Sequence, residues 1–140
     1  MTRLSPSPRP TARRAFLAAA LALPAVLSAP PAAAQLLARP FPPTALRGTL
    51  VVVDPPVATI NGRAIQLAPG ARIRGPENLI VLSAGLVGQP LAVHYTTDDD
   101  GNLRDVWILR PDELAKRPWP TTPEEAARWT FDPTAETWRR

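Results

Sequence analysis

The chain contains no cysteine and one histidine, His94. Past residue 34 it also holds a single serine, Ser83. These absences exclude whole classes of chemistry. Without thiols there are no disulfides, no thiolate zinc or iron–sulfur site and no cysteine nucleophile. One imidazole among scattered acids gives no ligand spacing for zinc or iron. No G-x-G-x-x-G or P-loop is present, so nucleotide binding of the usual kinds is not encoded. The longest apolar run, residues 15–27, is interrupted by Pro24 and falls short of the ~20 residues that a membrane span requires.

What is present begins with an address. Arg3, Arg9, Arg13 and Arg14 precede the apolar run A-F-L-A-A-A-L-A-L-P-A-V-L, and S-A-P-P-A-A-A-Q comes after it. This is the pattern of a cleavable secretory signal peptide over residues 1–34, with the cut after Ala34. The stretch R-R-A-F-L also resembles a twin-arginine export signal, so both the general secretory and twin-arginine routes stay open. The expected location is the periplasm, with release outside the cell as the alternative. No membrane span remains after cleavage.

Removing that segment also removes an apparent clue. The full chain has 16 Lys+Arg against 12 Asp+Glu. Four of the arginines fall in residues 1–34 and none of the acids do, which leaves 12 against 12. The basic surplus belongs to the export signal, and the case for nucleic acid goes with it.

Residues 35–43 form a proline-rich lead-in, expected to be extended. Residues 44–110 are rich in β-branched residues and turn signals, and residues 111–140 in Pro, Trp and charge. In V-A-T-I-N-G-R-A-I-Q-L, residues 57–67, Asn61-Gly62 fits a two-residue type I′ turn, which needs φ > 0 at both positions. It pairs Ile60 with Arg63, Thr59 with Ala64 and Ala58 with Ile65, and collects Ala58, Ile60, Ile65 and Leu67 on one face. Pro69-Gly70 reads as a turn into a further strand in which Ile73 points inward. Leu79–Leu82 fits either a buried strand or a helical turn. A second hairpin, L-A-V-H-Y-T-T to L-R-D-V-W-I-L, is expected to have a four-residue loop, Asp98–Gly101. Val93 would then face Val106, Leu91 face Ile108, and His94 face Asp105.

Five or six short strands joined by tight turns predict a mainly β fold: a small closed or half-open barrel with a short helical C-terminal extension. The succession G-T-L-V-V-V-D, V-A-T-I-N-G-R-A-I-Q-L, A-R-I-R-G, L-V-G-Q-P-L-A-V and G-N-L-R-D-V-W-I-L, residues 46–110, resembles exported bacterial domains of unknown function. That resemblance implies an OB-like barrel and transfers no functional residue. In the tail, Thr122-Pro-Glu-Glu125 is a capping-box pattern that starts a helix at about 123–130. Asp132-Pro-Thr-Ala repeats the signal, for a last helical turn ending at Trp138.

The candidate sites are few. Asp98-Asp-Asp-Gly101 fails as a calcium loop because Trp107 occupies the position of the bidentate acid. A His94–Asp105 contact could orient an imidazole for hydrolysis, but no nucleophile accompanies it. The pairs Asp112–Glu113 and Glu124–Glu125 read as solvated helix starts. Trp119, Trp129 and Trp138 either cover Trp107 in a second small core or dock a partner. Arg63, Arg72 and Arg74 are candidates for a phosphate or an acidic glycan. The expected function is therefore non-enzymatic: an exported binding or accessory protein of the bacterial envelope, with a periplasmic or envelope protein as partner. The alternative is a binder of a small or anionic ligand through the basic barrel loops. No cofactor is expected.

Overall fold

The computed structural model describes residues 37–140, so the export signal expected over residues 1–34 lies outside the described part. Alternation of side chains builds the first layer. In β1 (Leu46–Asp54), Leu50 and Val52 point inward while Val51 and Val53 point out. The same period runs through β2 (Val57–Ile60), β3 (Arg63–Arg74), β4 (Leu91–Thr97) and β5 (Leu103–Ile108). These strands close a barrel in the order β1-β2-β3-β5-β4, with β3 and β5 parallel and the other neighbours antiparallel. Leu50, Val52, Ala58, Ile60, Ile73, Val93, Tyr95, Leu103 and Val106 fill it.

The first hairpin has the register expected from its sequence, Ile60 against Arg63 and Ala58 against Ile65. Asn61 and Gly62 take φ of 50° and 78°. The Asn61 side chain also ties the turn to β1, because its Oδ1 accepts a hydrogen bond from the Thr49 amide at 2.9 Å.

Pro69-Gly70 is not a turn. β3 runs straight through it for 12 residues, and its ladder with β5 is interrupted between Leu67 and Arg72. A missing N–H at Pro69 and a positive φ at Gly70 are both met by a bulge, which bends one long strand between two partners. Leu79–Leu82 is neither continuous strand nor helical turn. Ile80 makes an isolated bridge to Arg74, and a short 3₁₀ turn comes next at Ser83–Leu86.

The second hairpin is displaced by two residues from the expected register. Val93 faces Ile108, His94 faces Trp107 and Thr96 faces Asp105. The Asp98 carboxylate accepts from the amides of Asp100 and Asn102 at 3.0 and 2.8 Å, which holds a longer loop. An irregularity beside Thr96 and Thr97 absorbs the remaining residue. A shift of two preserves which side chains face inward, so Val93 and Val106 remain buried although they do not pair.

The C-terminal region adds α1 (Pro111–Leu114), α2 (Pro123–Arg128), β6 (Thr130–Asp132) and β7 (Thr137–Arg139). α2 starts as its sequence implies, with the Thr122 hydroxyl accepting from the Glu125 amide at 3.2 Å. Asp132 does not start a helical turn. Its carboxylate caps the amides of Thr134 and Ala135 at 3.0 and 3.2 Å, inside a hairpin that joins β6 to β7. The same Asx chemistry serves turns and helix starts, and only the packing of the next residues separates the two.

A second apolar core lies between this region and the outside of the barrel. Phe41, Ala45, Leu109, Trp119 and Trp138 are its buried members, with Trp107, Leu114, Trp129 and Phe131 packed around them. Phe41 and Arg39 come from the proline-rich lead-in and are both buried, so these described residues of it are part of the fold. The Trp119 indole N–H donates to the Ala45 carbonyl at 2.9 Å. Trp119→Ala is therefore expected to destabilise the protein by about 3–5 kcal/mol, measured as a lower urea midpoint. A loss below about 1 kcal/mol would mean that the barrel does not depend on this core.

Candidate functional site

Sequence reasoning singled out Arg63, Arg72 and Arg74, and the fold does not bring the three together. Arg63 opens β3, whereas Arg72 and Arg74 lie at its far end. Both of the latter approach Asp105, Arg72 Nε at 3.0 Å and Arg74 Nη1 at 3.8 Å from the carboxylate. Their charge is thus partly answered within the protein. Asp105 is engaged there and does not contact His94, so the His–Asp pair considered for hydrolysis is not formed.

His94 instead faces the second core and is 1 % exposed, not a surface residue. Its ring stacks on Trp119 with centroids 4.0 Å apart and meets the edge of Phe41 at 4.4 Å. Arg47 Nε donates to His94 Nε2 at 3.2 Å. An arginine is always protonated, so Nε2 must be the acceptor and the ring proton sits on Nδ1. That Nδ1 is buried with no hydrogen-bond partner among the described residues. Burial, and after it the charges of Arg47, Arg39 and Lys116, lower the His94 pKa to about 3.

Glu113 is also not the solvated helix start expected of it. It is 3 % exposed and sits between two buried arginines. Arg39 binds its carboxylate through Nε at 2.9 Å and through Nη2. Arg110 approaches through Nη2 at 3.2 Å and through its backbone amide at 2.9 Å. Arg39 gives its remaining donors to the carbonyls of Gly75 and Ile108, whereas Arg110 donates to the carbonyls of Pro76 and Leu37 and, through Nε at 3.4 Å, to the Asp112 carboxylate. Buried charges persist only when paired and hydrogen-bonded in this way. The Glu113 and Leu114 carbonyls then accept from Arg47 at 2.9 and 3.2 Å. The network fixes Arg47 at the wall of a cleft.

That cleft has a volume of about 710 Å³. Arg47, Arg117, Arg139 and Arg140 line it, together with Leu114, Pro118, Trp119 and Trp138. No acidic side chain lines it among the described residues. Arg139 reaches Asp132 at 3.4 Å from an exposed position, whereas Arg117 and Arg140 have no carboxylate partner among the described residues. Burial, and next Arg117, lower the pKa of Arg47, with Glu113 opposing. Positive charge is thus crowded against an apolar floor, an arrangement that an anion would relieve.

No family model, curated protein or solved structure matches the chain. The site must be read from its own chemistry.

Of the three tail tryptophans, Trp119 and Trp138 are interior, and both line the cleft. Trp129 is half-buried under the Arg140 guanidinium, 5.2 Å from its ring centre. Sequence reasoning did not single out Arg39, Arg47, Arg117, Arg139 or Arg140. One signal was available: Arg117-Pro-Trp119, Arg128-Trp129 and Trp138-Arg139-Arg140 set arginine beside tryptophan three times in the tail, and the first and last of these line the cleft.

The buried charges generate two expected outcomes. Glu113→Ala leaves two buried guanidinium groups without their carboxylate and is expected to cost about 3–5 kcal/mol in chemical denaturation. For His94, the folded pKa lies below the unfolded value of about 6.5, so the unfolded chain takes up a proton first. Its contribution to stability is complete above about pH 6.5 and is lost as pH falls toward about 3, with a slope of up to ~1.4 kcal/mol per pH unit. Unfolding measured between about pH 5 and 6.5 should show that slope, and His94→Gln should flatten it.

Proposed function

We propose that this is an exported, non-enzymatic binding protein whose ligand presents an anionic group on an apolar body, seated in the arginine-lined cleft. The observation that carries the reading is four arginines and, among the described residues, no acidic side chain around a floor that contains Trp119 and Trp138. The volume suits a small organic molecule or the side chains of a docked segment. Guanidinium groups are weakly hydrated, stack on aromatic rings and fork onto carboxylates, sulfonates and phosphates, so their company with tryptophan favours a ligand that has both features. Arg72 and Arg74, which lie in strand β3 and not on loops, are the poorer candidates because Asp105 already meets them.

The scaffold reading belongs to the same proposal. Strand order β1-β2-β3-β5-β4 with a parallel β3–β5 contact supports an OB-like barrel. The basic, then apolar, then small-residue pattern of residues 1–34 supports export to the periplasm, where an envelope component would carry the anion.

Calorimetric titration with 2-naphthalenesulfonate, with 2-naphthol as the uncharged control, tests the cleft. The sulfonate should bind more tightly than the naphthol and weaken as salt is raised. Arg117→Ala and Arg140→Ala should each weaken it by about five- to tenfold, while Arg72→Ala should leave it unchanged. Equal binding of the two probes, or indifference to both cleft substitutions, would refute the reading.

A further inference from the structure

A second cleft, of about 750 Å³, lies at the tip of the first hairpin, where Arg63 and Tyr95 meet the start of α2. Its chemistry differs from that of the arginine cleft. Tyr95 is 6 % exposed, with its ring in the barrel core. Its hydroxyl has no hydrogen-bond partner among the described residues and is not sealed from solvent. A nearly buried tyrosine that lines a cleft and whose hydroxyl lacks such a partner is a polar group awaiting one. Arg63 lies near enough to the phenol to oppose the rise in pKa that burial causes.

Glycine makes the room. A Cβ at Gly48 would lie 3.1 Å from the Asn61 amide nitrogen, 3.2 Å from its oxygen and 3.2 Å from a ring carbon of Tyr95. Only a residue without a side chain lets both groups rest against β1. The Asn61 Oδ1 is committed to the Thr49 amide, which leaves the Nδ2 hydrogens as its donors to the cleft. Arg63, the Tyr95 hydroxyl and Asn61 Nδ2 are therefore three donors from β3, β4 and the hairpin turn. On the other side stand Glu124 and Thr122, which bring an acceptor carboxylate and a hydroxyl whose proton is not used by its helix cap. One cation faces one anion across the cleft, so a multiply charged phosphate would meet repulsion from Glu124.

We infer that this cleft binds a polyhydroxylated monocarboxylate, a sugar acid of the uronate type, with its carboxylate on Arg63, Tyr95 and Asn61 and its hydroxyls toward Thr122 and Glu124. Carboxylate oxygens only accept hydrogen bonds, which matches the three donors, and sugar hydroxyls can donate to Glu124. The site is separate from the arginine cleft and does not depend on how that cleft is read.

The test titrates the protein with D-glucuronate by calorimetry, with D-glucose and acetate as controls that each lack one half of the ligand. Glucuronate should bind at least about tenfold more tightly than either control. Arg63→Ala should weaken it about tenfold, and Tyr95→Phe, which removes one oxygen, about threefold. Both variants should melt within a few degrees of the parent protein, which separates lost contact from lost fold. Arg117→Ala should leave glucuronate binding untouched. The inference is overturned if glucuronate shows no saturable binding or is matched by glucose or acetate. It is equally overturned if both substitutions are silent, or if Arg117→Ala abolishes the binding.

Discussion

The carboxylate of Glu113 is the point on which the second half of the molecule turns. It has left water to sit between Arg39 and Arg110, and both of those guanidinium groups also donate to carbonyls of distant segments. Five stretches of chain are joined by these bonds: the lead-in, the loop after β3, the end of β5, the start of α1 and, through Arg47, β1. A buried ion pair of this kind gives modest net stability against an apolar alternative. Its larger effect is on arrangement, because any packing that separates the partners leaves an unpaired charge in a medium that cannot solvate it.

Around that pair the two cores divide the work. The barrel buries aliphatic side chains by strand alternation and needs no polar group inside apart from the edge of Tyr95. The outer core is aromatic, and its rings meet edge-on or stacked: Phe41 against His94, His94 over Trp119, Trp119 against Trp138. Such a core supplies the apolar burial that a cysteine-free barrel of this size lacks. It also sets the clefts. Trp119 and Trp138 are held from below, so they can floor a site without moving, and Arg47 is held by His94 and two carbonyls. Charge balance over residues 35–140 therefore conceals local segregation, with arginine gathered at one cleft and mixed charge at the other.

Local chemistry was legible where one short stretch decides the outcome. Asn61-Gly62 takes positive φ at both residues, a conformation that these two residue types favour locally. Thr122 caps α2 because Pro123 and Glu125 stand after it at fixed spacing. Legibility failed where two solutions share one local signature. Asp132-Pro-Thr can open a helix or a hairpin, and the aromatic contact between Phe131 and Trp138, 5.2 Å apart, belongs to the hairpin. Pro69-Gly70 can turn a chain or bulge a strand, and the parallel partner β5 favours the bulge. The second hairpin kept its inward-facing set and lost its pairing, since alternation fixes parity whereas the Asp98 loop fixes the offset.

The sequence by itself determined which side chains of the barrel strands face inward, the first turn and the start of α2. All of these rest on interactions within a few residues or on a period of two. It did not determine the unbroken course of β3 through Pro69-Gly70, the β6–β7 hairpin or the partners of charged groups. Arg39 and Glu113 are 74 positions apart, and Arg47 and His94 are 47 apart. Nothing local distinguishes them from the solvated charges beside them. Only closure of the barrel and packing of the tail, which bury Arg39, Glu113 and His94 and half-bury Arg47, make them a network and leave Arg117 and Arg140 outside it.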